Sequence, residues 1–325
     1  MKILVTGATG FVGSHTVHAL LEAGHEVRVM ARRPERVAVA LGPFGAAGAV
    51  EVAEADMTDR AAVEKAMPGC DGVVHAAAQI DLSGGAEAGR INLEGARHVL
   101  GAAHEAGLDP IVYTSSLSVH QPAPGPVIDL DTPLAPASTP YMQSKRQGEI
   151  DILAMQGRGA PITTFVLGGV FGPTSPHREA GFVAIRSALD RMMVVVPGGT
   201  TVVDVRDVAQ LIARSIVPGQ GPRRFLVGGH FLAWDDWCGH LEAAAGRPVQ
   251  RLPMTTDQLL ATARSLEAAA SDGKPPELTE EAALIMATGV PADDRATLDA
   301  FGFAYRPACD TFADTIAYLR ACGEI

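Results

Sequence analysis

No run of eighteen apolar residues occurs in the 325-residue chain, so no segment is expected to span a bilayer. Nor is there a basic run: 26 Lys and Arg stand against 37 Asp and Glu, a net charge of -11. Nothing tracks a phosphate backbone or an anionic membrane, which argues against nucleic acid and membrane surfaces as partners. The four cysteines, Cys70, Cys238, Cys309 and Cys322, lack C-x-x-C spacing, and no residue set has metal-ligand spacing. Free thiols, no metal and a cytoplasmic setting are therefore expected. A signal peptide is not expected, because glycines interrupt the apolar N-terminus and no small-residue cleavage site follows. Internal repeats and low-complexity tracts are likewise missing.

What is present is ordinary globular material, 47% hydrophobic, organised around its first residues. Met1 to Thr6 reads as a short buried strand, and Gly7-Ala8-Thr9-Gly10-Phe11-Val12-Gly13 turns it into a helix running to about Ala23. Gly7 suits the tight turn, Gly10 lets the backbone approach a pyrophosphate, and Gly13 lets the helix lie close on the strand. Free N–H groups and the helix dipole then face an anion. The site is built for a dinucleotide.

Further strands are expected at 25–30, 50–54, 72–76, 110–115, 162–167 and 223–227, with helices at 60–67, 90–106, 140–156 and 207–217 between them. That alternation means a parallel sheet covered on both faces, an α/β fold. After Leu167 the pattern changes, and from about Phe231 it reads as a mostly helical layer with helices at 232–246 and 278–288 and a solvated loop at 271–276. The expected division is a dinucleotide-binding domain at 1–167 and 199–230, and a substrate-binding part at 168–198 and 231–325.

The end of the second strand separates NAD from NADP, because an acidic residue there bonds the ribose 2′-hydroxyl and repels a 2′-phosphate. Ala31 holds that position, and Arg32 and Arg33 follow with forks suited to a phosphate. NADP is expected. Asp56, after the third strand, is placed to accept from the adenine amino group, with Thr58 or Asp59 the better candidates for a helix cap.

Thr139 and Pro140 start a helix as cap and first-turn residue, which sets Tyr141 and Lys145 one turn apart on one face. An ammonium beside a phenol favours the phenolate and brings a tyrosine toward acid-base work at neutral pH. The strand 110–115 ends in hydroxyls, Thr114, Ser115 and Ser116, at the sheet edge where ligands sit in such folds.

Together these segments resemble the extended short-chain dehydrogenase/reductase family over nearly the whole chain. Its fingerprint T-G-x-x-G-x-x-G is Thr6 to Gly13, its H-A-A is His75-Ala76-Ala77, and its N-x-x-G is Asn92 to Gly95. Its S-S-x-x-V is Ser115, Ser116 and Val119, and its P-Y-x-x-S-K is Pro140 to Lys145. The resemblance implies a Rossmann-type doubly wound parallel sheet with a smaller, mostly helical C-terminal substrate domain. It aligns Ser116 with the catalytic serine, ahead of the competing Ser115 and Ser118, Tyr141 with the general acid, and Lys145 with its partner. Lys145 also binds the nicotinamide ribose in that scheme. Expected cofactor contacts are Thr6, Gly7, Thr9, Gly10, Phe11, Val12, Gly13, Arg32, Arg33, Asp56, Met57, His75, Ala76, Ala77, Lys145, Leu167 and Val170. His75 is expected to end a strand beside the cofactor, and Asn92 to tie its helix to the neighbouring strand.

Within the family the chain departs from nucleotide-sugar enzymes at two places. Leu167-Gly168 stands where they carry R-P, and Thr200 stands where an arginine would hold the diphosphate. The pattern looks more like bacterial relatives of dihydroflavonol reductases and 3-beta-hydroxysteroid dehydrogenases. The expected activity is NADP(H)-dependent interconversion of an apolar ketone or aldehyde and its alcohol, an EC 1.1.1 type reaction, with Tyr141 as general acid/base. The alternatives are a nucleotide-sugar epimerase/dehydratase and a non-catalytic NADP-binding redox sensor. Ile80, Leu82, Leu117, Val119, Val170, Phe171, Phe182 and Ile185 are expected to wall the substrate site, while His177, Arg178 and Arg186 face solvent. A homodimer is expected through the helices at 90–106 and 140–156, where Leu93, Val99, Leu100, Ile150 and Leu153 exceed what covers the sheet.

Overall fold

A computed structural model of the chain describes residues 1–79, 86–177, 179–270, 276 and 278–325, with the side chains of Ala86 and Tyr141 excepted. Its first half runs β1 (Lys2–Thr6), α1 (Phe11–Glu22), β2 (Glu26–Ala31), α2 (Glu35–Leu41), β3 (Glu51–Glu54), α3 (Arg60–Ala66), β4 (Gly72–His75), α4 (Ala86–Glu105), β5 (Ile111–Ser116) and α5 (Pro140–Gly157). The second half continues with β6 (Ile162–Leu167), β7 (Gly169–Phe171), α6 (Ala180–Asp190), β8 (Met193–Val195), β9 (Gly199–Asp204), α7 (Val205–Arg214), β10 (Arg223–Val227) and β11 (His230–Ala233). It closes with α8 (Trp234–Ala245), β12 (Arg251–Pro253), α9 (Thr256–Ala269), α10 (Glu280–Thr288), α11 (Arg295–Phe301) and α12 (Ala308–Ala321). Ile80, Leu82, Arg178 and most of the expected loop at 271–276 lie outside the described residues.

Seven parallel strands form the main sheet in the order β10-β6-β5-β4-β1-β2-β3. The chain builds outward from β1 through β2 and β3, then returns to the other side of β1 with β4. That reversal opens a crevice at the carboxyl ends of β1 and β4, the usual ligand site of a doubly wound sheet. Strands buried on both faces read as apolar runs, and β1, β4 and β6 do so because helices cover both sides. On one face Val17 and Leu20 of α1 meet Val208, Leu211 and Ile212 of α7 over the sheet. On the other, Val63, Val99, Leu100 and Ile152 bring in α3, α4 and α5.

The remainder packs on a core of its own, with Ile185, Trp237, Leu241, Phe312 and Ile316 fully or nearly fully buried. A three-stranded sheet, β11-β9-β7, carries the chain from the main sheet into this layer, and β8 pairs with β12 beyond it. Among the described residues no helix is long and apolar enough to cross a membrane, and no group of His, Cys, Asp and Glu is arranged to hold a metal ion.

Candidate active site

A cleft of about 270 Å3 opens at the switch point of the sheet. Thr6, Gly7, Thr9 and Gly10 form its floor, with Arg32 and Met57 at one side and Ala76 and Ala77 at the other. Gly7 holds φ at 77° because the chain must reverse there, and a β-carbon on it would strike the Ala77 nitrogen at 2.5 Å. Gly10 caps α1 in an extended conformation with no side chain bonded to the first turn, so the helix presents free N–H groups. A β-carbon on Gly10 would meet only the Gly7 carbonyl oxygen, at 3.3 Å. This open, anion-seeking cradle fits the pyrophosphate of a dinucleotide.

The other expected cofactor contacts divide into those beside the cleft and those drawn into the core. Arg32 lies 3.8 Å from Asp56, so the two share the far end, and Arg33 beside it is exposed. One Asp56 oxygen accepts from the Thr58 N–H at 2.9 Å and the Thr58 hydroxyl at 2.8 Å. Burial pushes the Asp56 carboxyl up, but the Thr58 bonds and Arg32 outweigh it and hold it below the usual range. The cap of α3 is Asp59, which accepts from the Ala62 N–H. Phe11 points away from the cleft, edge-on to Phe182 and His15 in the C-terminal core. Leu167 is buried in the main core, and Val170 packs between the two cores. Val12 is half-buried against the same two clusters, and Gly13 serves close packing on Gly7.

His75 is buried at the end of β4, its Nδ1 2.7 Å from the Thr6 hydroxyl and its Nε2 without a partner among the described residues. Burial, then the Lys145 charge, pushes it down to about 3, so the ring is neutral and no base at physiological pH. Asn92 ties α4 to the chain leaving β4: it accepts from the Gln79 N–H at 2.7 Å and donates to the Gln79 carbonyl at 2.9 Å.

The hydroxyls ending β5 separate cleanly. Ser115 is buried and donates to Glu149 at 2.6 Å, whereas Ser116 is half-buried and lies 2.9 Å from the Ser118 hydroxyl. Thr139 caps α5 by accepting from the Met142 N–H, and Glu281 from the C-terminal layer accepts from the N–H groups of Ser138 and Thr139. The start of α5 is thereby pinned from both sides. Tyr141 lies in that first turn, its side chain outside the described residues. Lys145, one turn on, is buried at 8% exposure, and burial pushes its amine down to about 8 against the opposing pull of Glu149.

Sequence reasoning missed Glu149, whose only signal was a carboxylate on the apolar face of α5, and it missed Arg224, which pairs with it. It also misplaced the apolar wall. Leu117 packs with Ile128, Val166 and Leu226, and Phe171 and Ile185 belong to the C-terminal core. Val119 is buried too. Phe182 lines a cavity of about 640 Å3 that shares His177 with the cofactor cleft, and Val170 is half-buried. Arg186, at the cavity rim, is held by Glu324 at 3.0 Å and Asp190 at 3.5 Å.

The family model described as NAD dependent epimerase/dehydratase family matches residues 3–228, which span this cleft, Ser116, Tyr141 and Lys145. The chain belongs to that family. Curated relatives resemble it along most or all of its length. A relative named sterol demethylase protein B, from Methylococcus capsulatus, is 28% identical over 333 residues, 100% of both chains. A putative dihydroflavonol 4-reductase from Synechocystis is 30% identical over 268 residues, 77% of this chain and 76% of that protein. The solved UDP-glucose 4-epimerase of Bifidobacterium longum, in complex with NAD+ and UDP, superposes with a TM-score of 0.76 at 19% identity, covering 100% of this chain and 99% of that one. At that identity the likeness is one of fold.

Proposed function

We propose that this protein is an NADP(H)-dependent oxidoreductase that interconverts an apolar ketone or aldehyde and its alcohol. When bound, the reduced nicotinamide supplies a hydride to the carbonyl carbon. Tyr141 gives the oxygen its proton, Ser116 holds that oxygen, and Lys145 supports the phenolate and the ribose hydroxyls. Arg32 and Arg33 meet the 2′-phosphate, and Asp56 the adenine.

The observation that carries the reading against a nucleotide sugar is Leu167, which stands where those enzymes carry the arginine of R-P and is an uncharged residue buried in the main core. Thr200 brings no charge, and Arg186 is already paired with two carboxylates. A diphosphate would find no free fork at Leu167, Thr200 or Arg186 and lose charge-assisted bonds worth about 1.5 to 3 kcal/mol each. The names of the sterol and dihydroflavonol relatives support a ring-bearing, mainly apolar substrate. Such a molecule is held by buried area at about 25 cal/mol per Å2. The test is a panel of aryl, alicyclic and steroid ketones against uridine diphosphate sugars, each with NADPH and read by nicotinamide absorbance. Reduction of apolar ketones is expected, and micromolar binding of sugars with no ketone reduced overturns the reading.

A further inference from the structure

Glu149 sits one helical turn beyond Lys145 on α5 and is fully buried. One carboxylate oxygen accepts from the Ser115 hydroxyl at 2.6 Å, the other from an Arg224 guanidinium N–H at 2.5 Å. These donors come from β5 and β10, with β6 between them. Ser115 is in register with Val166 and Arg224 with Thr164, so both side chains leave the sheet on the face that α5 covers. A carboxylate is retained so deep only when paired and hydrogen-bonded, and here a donor on each oxygen also fixes its orientation. The i, i+4 spacing sets Lys145 beside it, and Lys145 is itself buried.

We infer that Glu149 is a positioning residue: clamped by Ser115 and Arg224, it is the fixed counter-charge that keeps the Lys145 ammonium inside the protein. The inference rests on the role given to Lys145 above. Of the titratable groups around the pair, Arg224 from β10 is bonded to the carboxylate itself. His120, after β5, and His75, from β4, are both kept below the usual histidine range, chiefly by burial, and carry no charge at pH 7. Among the described residues Glu149 is the carboxylate that acts on Lys145. One anion thus serves two cations. Removing Glu149 leaves the ammonium facing burial unaided, and removing Arg224 leaves the carboxylate to Lys145 alone. The two substitutions move Lys145 in opposite directions, as loss of packing would not.

The chain has four lysines, Lys2, Lys65, Lys145 and Lys274, so full-length enzyme labelled with 13C at lysine Cε gives four resonances. Lys145→Met identifies the one of interest, which is then titrated in the wild type, Glu149→Gln and Arg224→Met. Its midpoint is expected to fall by about one pH unit or more in Glu149→Gln and to rise in Arg224→Met. Unchanged midpoints, or shifts in the same direction, overturn the inference. If only one variant folds, the direction of its shift decides. If neither does, the Glu149 carboxyl carbon of the wild type decides: an inflection at the Lys145 midpoint supports the pairing and a flat curve overturns it. Carbonyl reduction is measured separately, so an expected shift in an enzyme that reduces nothing sinks the proposed function and leaves the Glu149 assignment standing.

Discussion

Gly13 of the first helix lies so close to Gly7 of the preceding turn that a β-carbon on Gly13 would overlap the Gly7 carbonyl and stand 2.9 Å from the Ala8 nitrogen. Gly10, between them, has room by comparison: a β-carbon there would meet only the Gly7 carbonyl oxygen, at 3.3 Å. Gly13→Ala is therefore expected to destabilise the fold by about 1 to 3 kcal/mol, as overpacking does. Gly10→Ala should stay within about 1 kcal/mol of wild type and weaken NADPH binding at least ~10-fold by closing the approach to the pyrophosphate. Thermal unfolding and cofactor titration of both variants check the contrast, and unimpaired cofactor binding by Gly10→Ala would contradict it.

Arg32 leans toward Asp56 at 3.8 Å and remains exposed, so it can turn to a 2′-phosphate at little cost. Arg32→Ala is expected to lower the NADPH-over-NADH preference about 10-fold or more, the worth of one charge-assisted bond. Dissociation constants for both reduced cofactors measure it, and an unchanged ratio removes Arg32 from the site.

The burial of Lys145 links stability to pH. Below about pH 8 the amine is protonated in folded and unfolded chains alike, and the cost of burying its charge is present in full. From about 8 up to its ordinary value the unfolded chain holds a proton that the folded chain has released, so this contribution to stability rises with pH. Cofactor-free Lys145→Met should thus be more stable than wild type at pH 7, by on the order of 3 kcal/mol at most. Denaturant unfolding at pH 7, 8, 9 and 10 should show that advantage shrinking. An advantage constant across the range would contradict the assignment.

A homodimer through α4 and α5 remains a proposal, on a smaller apolar surface than the sequence suggests. Val99 and Leu100 are spent on the core, and Leu93, Ile150 and Leu153 are half-buried beside the Arg97–Asp151 ion pair. Light scattering at micromolar concentration is expected to give twice 33.8 kDa, and a mass of 33.8 kDa itself would contradict it.

The parallel sheet was legible because most of its strands carry their own apolar residues: Ile162–Leu167 and Arg223–Val227 fall where the pattern puts them. The small strands were not. Gly169–Phe171, Met193–Val195 and Arg251–Pro253 have three residues each and exist only because distant segments pair with them. α12 was missed although Phe312, Ile316 and Leu319 are buried, for its apolar face covers a layer no local pattern announces. In the site, the glycine turn and the Tyr141–Lys145 spacing could be read locally. The apolar wall could not, because an apolar loop residue such as Leu117 or Phe171 does not say whether it faces the ligand or the core. Glu149 escaped for the same reason: its partners come from β5 and β10, far apart in sequence.

The central claim is that Tyr141 delivers the proton in carbonyl reduction, and its most direct measurement is the turnover number of Tyr141→Phe beside the wild type, with NADPH and the best ketone found. The account predicts a fall of about 10^2 to 10^4-fold with the NADPH dissociation constant within a few-fold of wild type. A turnover number near that of the wild type would contradict it.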